Sequence, residues 1–259
     1  MQILYNTTMA QKISTYPFTT AEWFTIWRET IGKEWELVGN NLASCGNELI
    51  IAGGYEVADY LDVAHPEEIS KKFPGMHLTL RNVPEDSPTV SYFHMEKEDT
   101  TPITTLPPVL DKKYQHEMER KVRKFEREQT GIEFRESDDI SILFTLMKLD
   151  PRKKIFLTPD MEEFFRRIMK QFGHLTVLTV NTIPAAAILT FSAGDTLMGY
   201  NSGFDETNYS GSGFYLRAKI LERARQSGYK KFNFLQGSER YKYELGGKDF
   251  FVYRADISL

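Results

Sequence analysis

The sequence predicts an α/β (or α+β) protein in which helices flank a mixed, mainly antiparallel sheet. Two observations carry this prediction. From Asp111 onward, the spacing of the apolar residues gives the order helix, helix, helix, three strands, helix, strand, loop, strand. The helix between Met198 and Asn233 joins two strands by a crossover, which makes them parallel neighbours, whereas short turns join the three strands before it.

The first hundred residues predict one helix followed by short strands. Thr19 and Glu22 have the spacing of a capping box. The helix that follows carries Trp23 and Trp27 on one side, where they either pack in the core or stack on a ligand. The predicted strands are Trp35–Leu42, Glu48–Ala52, His77–Leu80 and Thr89–Phe93, and a brief helix runs from Pro66 to Lys72.

Two aspartates in this part of the chain are candidates for a site. Asp59 and Asp62 follow a Gly-Gly pair, and their carboxylates could serve as acid or base groups. The alternative is structural, since aspartate commonly caps a helix or ends a strand. The sequence leaves both interpretations open.

A proline-containing segment divides the chain. Glu96 to Pro108 carries acids, threonines and three prolines, which prevents regular structure throughout. We therefore expect two domains, residues 1–105 and residues 106–259.

The second domain begins with three helices. The first, from Asp111 to Gln129, has one narrow apolar stripe, and its other faces carry seven basic residues against five acidic ones. Such a face either is solvated or contacts nucleic acid or an anionic substrate. The second helix begins at Ser137 or Asp138, and the third begins at Thr158-Pro159. The strands that follow are Leu175–Val180, Ala185–Phe191, Thr196–Tyr200 and, near the end of the sequence, Phe250–Ile257.

Composition excludes several classes of protein. The net charge of −4 argues against non-specific nucleic-acid binding as the main activity. The single cysteine, Cys45, excludes an intrachain disulfide, and the five histidines form no HxxxH or HExxH pattern, so no metal site is predicted. No apolar run approaches the ~20 residues of a membrane span. Because Met1–Ala10 is polar and does not look like a signal peptide, we expect a cytoplasmic protein.

The segment from Tyr200 to Gly247 is the strongest functional candidate. The run from Ser210 to Gly213 precedes a helix, and the first N–H groups of a helix bind anions such as phosphate. The same run could be only a flexible turn and helix cap. A second strand then delivers polar side chains beyond its end, among them Gln236, Glu239, Tyr241 and Lys242. A group transferase that uses a nucleotide-bearing donor would need this combination.

The run from Pro107 to Gly247 resembles the GNAT-superfamily acyltransferases of the Fem-like type, especially the CelD-like acetyltransferases. The most specific match is Gly237-x-x-x-Tyr241-Lys242. Further matches are Leu106-Pro107, Lys121-x-Arg123-Lys124, Pro184-Ala185-Ala186, Tyr200 with Gly203-Phe204-Asp205, the Gly213 helix entry and Phe232-Asn233-Phe234. Three features depart from the family. It usually has Asp where this chain has Asn233, the N-terminal half of this chain is short, and the Q/R-x-x-G-x-G/A signature is absent, with Ser210–Gly213 as a partial substitute.

The resemblance implies two GNAT-like lobes, the first one reduced, and an N-acyltransferase. The acyl group, in the first instance acetyl, would move from acetyl-CoA or another acyl-CoA to an amine of a small molecule, an amino sugar or an envelope precursor by direct attack. The implied roles are donor binding by Ser210, Gly211, Ser212, Gly213 and Phe214, deprotonation of the amine by Glu239 or Asp205, support of the leaving group by Tyr241 or Lys242, and acceptor binding by Asn201, Asn233 and Gln236.

Two other functions remain open at this point. A Fem-like aminoacyltransferase would take its acyl group from aminoacyl-tRNA, and the basic helix around Arg120–Arg127 favours it slightly. A non-catalytic GNAT-like binding module is the second, because Asn233 replaces the usual acid and the first lobe is short.

Overall fold

A computed structural model describes residues 16–259 of the chain. The prediction that Met1–Ala10 is not a signal peptide lies outside the described residues. The helices are α1 Ala21–Thr30, α2 Pro66–Lys72, α3 Pro88–Tyr92, α4 Lys112–Glu128, α5 Ser141–Met147, α6 Pro151–Phe156, α7 Pro159–Phe172, α8 Ser212–Gln226 and α9 Arg240–Glu244, and a 3-10 turn spans Pro17–Thr19.

The strands form two six-stranded sheets in the described part of the chain. They are β1 Glu36–Gly39, β2 Leu42–Cys45, β3 Glu48–Ile51, β4 His77–Pro84, β5 Glu96–Thr100, β6 Ile103–Thr105, β7 Ile132–Ser137, β8 Gly173–Val180, β9 Ile183–Ala193, β10 Thr196–Phe204, β11 Lys231–Asn233 and β12 Phe251–Ser258. The first sheet has the order β1-β2-β3-β4-β12-β5, and the second has the order β6-β11-β10-β9-β8-β7.

Strands β8 to β11 of the second sheet have the predicted topology, whereas β6 and β7 were not predicted and the predicted last strand, β12, lies in the first sheet. Strands β8, β9 and β10 form an antiparallel meander, and α8 crosses over from β10 to β11, which are parallel. Both sheets are mixed and mainly antiparallel, and helices flank them, as the sequence predicts. The α/β fold class is therefore confirmed.

The two sheets exchange chain segments near residue 105. Strand β12 lies between β4 and β5 of the first sheet, where Ala255 faces Leu80 and Tyr253 faces Lys97. Strand β6 follows β5 directly in the sequence, yet it pairs with β11 of the second sheet. The chain thus crosses from one sheet to the other at residues 101–102 and returns at its closing strand.

Three local predictions need correction. The segment Thr89–Phe93 is wrong as a strand, because Pro88 starts a helix there and the Ser87 hydroxyl accepts the N–H of Thr89. Helix α5 begins three residues after Asp138, since Ser137 belongs to β7. Helix α6 was not predicted, although Asp150 caps it by accepting the N–H of Arg152.

The core confirms the structural interpretation of the tryptophans. Trp23 is fully buried, its ring packs against Phe164 and Phe191, and its indole N–H donates to the carbonyl of Gly53 at 3.0 Å. Tyr200 lies in the same cluster, which spans both sheets. Within residues 16–259, no helix is long and apolar enough to cross a bilayer.

Candidate active site

The second sheet opens between two parallel strands. Strand β10 pairs with β11 only from Thr196 to Met198, because β11 ends at Asn233. Beyond this point the two segments separate around a cavity of about 460 Å³, which we call the transfer cleft. Its walls include Gly199–Ser202 of β10 and Phe234–Gln236 after β11, together with the charged side chains of Asp59, Lys153, Arg217 and Glu239.

A second cavity lies against the start of α8. It measures about 440 Å³, and we call it the α4–α8 pocket. Its walls include Ser210, Gly211, Gly213 and Phe214 at the start of α8, and Arg120, Lys121 and Lys124 from α4. It shares Phe204, Arg217 and Tyr241 with the transfer cleft, so the two cavities are adjacent.

The start of α8 has the free N–H groups that the sequence predicts. The N–H groups of Gly213 and Phe214 have no acceptor within residues 16–259, whereas the Gly211 N–H donates to the Glu206 carboxylate at 2.8 Å. Gly213 is needed for packing, since an added Cβ would lie 2.9 Å from the Phe204 ring. Free N–H groups at a helix start, facing basic side chains of α4, suit an anionic group.

Arg217 lies at the junction of the two cavities. Its guanidinium donates to the Gly213 carbonyl at 2.8 Å and to the Ser202 hydroxyl at 2.7 Å, and it lies 4.3 Å from the centre of the Tyr241 ring. No carboxylate of the described residues pairs with it. Arg217 is not among the site residues predicted from the sequence, although its position on a helix that opens with a Gly/Ser turn could have indicated it.

Lys242 holds the loop that follows β11. Its side chain is 1% exposed, and its ammonium donates to the carbonyls of Leu235 at 2.8 Å, Gln236 at 2.5 Å and Gly237 at 3.0 Å. It also pairs with Glu239 at 2.9 Å. Burial lowers the pKa of Lys242, and the charge of Glu239 opposes this effect. Because Leu235 has a left-handed φ of +58°, the loop needs such fixed bonds.

Glu239 and Tyr241 both face the transfer cleft. Burial of Glu239 favours its neutral form, but the adjacent Lys242 ammonium outweighs burial, so the pKa of Glu239 is lowered. Burial raises the pKa of Tyr241, although Arg217 opposes the shift. At neutral pH the cleft therefore contains a paired carboxylate and a protonated phenol.

Asp59 enters the same cleft from the first part of the chain. One of its carboxylate oxygens accepts the backbone N–H of Gln236 at 2.7 Å. Burial raises the pKa of Asp59 to about 6, and the Gln236 bond and the Lys242 charge counteract only part of that effect. Asp62, by contrast, accepts bonds from Ser87 and Thr89 and lines neither cavity. Of the two aspartates, the structure brings only Asp59 to the site.

The remaining candidates fall into two groups. Asn201 and Gln236 line the transfer cleft. Asn233 is fully buried and lines neither cavity; its amide donates to the Tyr60 hydroxyl at 2.7 Å and accepts the Leu235 N–H at 2.8 Å. Asp205 also lines neither cavity, because its carboxylate accepts bonds from the Asn208 side chain and backbone, which lower its pKa. The Ser212 side chain is buried against the carbonyl of Ala185 and lines neither cavity.

Comparisons with known proteins agree with the fold. Residues 112–243 match the family described as "Acetyltransferase (GNAT) domain". No curated protein matches the chain.

Solved structures share the fold over most of the chain. FemX has a TM-score of 0.62 at 12% identity, with 94% of this chain and 92% of that chain covered. L-PGS from Bacillus licheniformis has a TM-score of 0.62 at 12% identity, with 91% of each chain covered. The C-terminal domain of a protein provisionally named lysylphosphatidylglycerol synthetase, from Agrobacterium fabrum, has a TM-score of 0.62 at 13% identity, with 86% and 83% covered.

The family match extends over half of the sequence. It includes α4, which bounds the α4–α8 pocket, and α8 and Tyr241, which bound both cavities. The chain belongs to the GNAT acetyltransferase-domain family and is an N-acyltransferase.

Proposed function

We propose that this enzyme transfers an acyl group, acetyl in the first instance, from acyl-CoA to the amine of a small molecule. One observation carries the proposal: the α4–α8 pocket and the transfer cleft share Arg217 and Tyr241. A donor with its phosphates in the pocket can therefore place its thioester in the cleft. A grouping with the Fem-like or CelD-like acetyltransferases within the family remains part of this proposal.

The α4–α8 pocket has the chemistry of a phosphate site. The free N–H groups of Gly213 and Phe214 lie at the positive end of the α8 dipole. Lys124 adds positive charge from the facing helix. Lys121 is paired with Glu244 at 2.5 Å, and Glu206, the other acid of the pocket, accepts the Gly211 N–H. From there, the thioester arm would lie along the part of β10 that β11 leaves unpaired.

The transfer step needs one base and one acid. We assign the base to Asp59, which takes a proton from the acceptor ammonium, so that the free amine attacks the thioester carbonyl and forms the C–N bond. As the C–S bond breaks, Tyr241 gives its proton to the leaving sulfur, and the resulting phenolate takes the second proton from the nitrogen of the new amide. Arg217, which lies over the Tyr241 ring, stabilises the negative charge that develops there. Glu239 remains the alternative base. Lys242 positions the loop from Leu235 to Gly237, whose carbonyls accept its hydrogen bonds.

The test combines donor binding with two matched aspartate variants. Acetyl-CoA is expected to raise the melting temperature, and the rate of CoA release with an amine panel measures transfer. Asp59→Asn is expected to lower kcat about 100-fold or more while acetyl-CoA still binds. Asp205→Asn, at a position outside both cavities, is the control and is expected to keep the wild-type rate. A protein that acetyl-CoA does not stabilise would contradict the proposal.

Aminoacyl-tRNA is the alternative donor. Arg123 and Arg127 are exposed on α4, the helix that borders the pocket, which would suit a nucleic-acid backbone, and the fold resembles FemX. Stabilisation by charged tRNA with a steep dependence on salt, and none by acetyl-CoA, would favour this donor.

A further inference from the structure

Two cations of the transfer cleft meet at one residue. The Lys153 ammonium donates to the backbone carbonyl of Ser202 at 2.5 Å, and the Arg217 guanidinium donates to the Ser202 hydroxyl at 2.7 Å. Lys153 comes from α6 and Arg217 from α8, so two separate elements bring these charges together. Within residues 16–259, neither side chain forms an ion pair with a carboxylate.

The three carboxylates of the cleft have other partners. Asp59 accepts the Gln236 N–H, Asp150 pairs with Arg152 at 3.0 Å, and Glu239 pairs with Lys242 at 2.9 Å. Burial, followed by the charge of Arg217, lowers the pKa of Lys153 to about 8, although Asp150 and Glu239 oppose the shift weakly. Holding two like charges together in a half-buried cleft costs free energy, and a bound anion would remove that cost.

We propose that the acceptor carries, besides its amine, an anionic group that binds between Lys153 and Arg217. The amine then faces Asp59, and the anion is a carboxylate or a phosphate, as in an amino acid or a phosphorylated amino sugar. This inference rests on the proposed function, because it names the substrate class of the same site.

The geometry assigns this anion to the acceptor rather than to the donor. The α4–α8 pocket has its own cations and free N–H groups for the donor phosphates, and Lys153 does not line it. Lys153 lines only the transfer cleft, where the amine has to lie. Arg217 borders both cavities, which makes Lys153 the more selective residue to test.

The test compares matched acceptors with and without an anion. The pairs are glucosamine 6-phosphate with glucosamine, and L-alanine with L-alaninamide. The wild type is expected to favour the anionic member of one pair by about tenfold or more in kcat/KM, since a charge-assisted hydrogen bond contributes that much. The pair that shows the preference distinguishes a phosphate from a carboxylate.

Variants at neighbouring positions connect this preference to Lys153. Lys153→Met is expected to reduce the preference below about threefold, and Lys153→Arg is expected to retain it. Lys154→Met, at an exposed position of the same helix, is the control and is expected to match the wild type. Circular dichroism verifies that each variant folds.

Several results would overturn the inference. Equal kcat/KM values for both members of each pair, or no transfer to any of the four acceptors, exclude an anion-bearing acceptor at this site. If Lys153→Met lowers kcat/KM equally for the anionic and the neutral acceptor of a pair, the Lys153 ammonium acts on the reacting thioester instead. Weaker acetyl-CoA binding in that variant would indicate that Lys153 binds an anionic group of the donor and not of the acceptor. A wild type that binds no acetyl-CoA contradicts the proposed function itself, and so this failure can be distinguished from the others.

Discussion

Replacement of Lys242 by methionine is expected to destabilise the protein strongly. Methionine has a similar length but removes the charge, so the carbonyls of Leu235, Gln236 and Gly237 lose their donor, and Glu239 loses its partner. Because Lys242 is 1% exposed, water cannot replace these bonds without moving the loop. Glu239, whose side chain is 59% exposed, stays solvated, so the cost comes from the buried carbonyls, which lose about 1–3 kcal/mol for each one left without a donor.

This cost converts to a measurable shift in melting temperature. For a chain of this length, 1 kcal/mol changes the melting temperature by about 2–4 °C, so the expected decrease is on the order of 10 °C. Thermal unfolding followed by circular dichroism measures it. Lys248→Met is the matched control, because Lys248 is exposed and its side chain forms no ion pair with the described residues. A Lys242→Met variant that melts within 2 °C of the wild type would refute the reasoning, since a fixed loop could not then depend on this ammonium.

Three further predictions address the site. The raised pKa of Asp59 lies at about 6, so kcat/KM is expected to fall as the pH drops through 6 and this base becomes protonated. Asp59→Asn should lose this pH dependence, and a pH profile of kcat/KM for each protein measures it. Asn233→Asp removes the amide donor to Tyr60 and places a carboxylate in a fully buried position, so urea denaturation should show a loss of about 1–3 kcal/mol. Gly213→Ala directs a methyl group against the Phe204 ring, and titration calorimetry should show acetyl-CoA binding weakened about tenfold while the fold persists. An unchanged pH profile, an unchanged unfolding midpoint or unchanged acetyl-CoA binding, respectively, would contradict each of these.

The sequence predicts the parts of the fold that depend on local signals. Apolar periodicity and turns locate β8, β9 and β10, and the helix cap at Thr158 is present, with its hydroxyl accepting the N–H of Met161. The segment at Thr89 was read as a strand because its residues favour strands, although Ser87-Pro88 is a helix-start signal.

Local sequence predicts where a strand lies in the chain, but it does not predict which strand it pairs with. Alternating residues predict that β12 is a strand, but nothing local specifies that it inserts between β4 and β5. The partner of a strand depends on contacts between residues far apart in the sequence.

The same limit applies to the site. Gln236, Glu239 and Tyr241 follow one strand and lie in one recognisable segment, so the sequence could place them together. Asp59 and Gln236 are separated by 177 positions, and their contact follows only from the folded arrangement of both sheets. The sequence around Asp59 contains no signal that identifies Gln236 as its partner.

The position of β12 has a consequence for biosynthesis. Residues 103–233 contain every strand described in the second sheet, so all of them are synthesised before β12. The first sheet has a gap between β4 and β5 until β12 emerges. At about 5–20 residues per second, the interval between synthesis of β5 and of β12 is roughly 8–30 s. During that time β4 and β5 expose unpaired edges in the nascent chain, which makes this interval the period of greatest risk for aggregation and for chaperone binding.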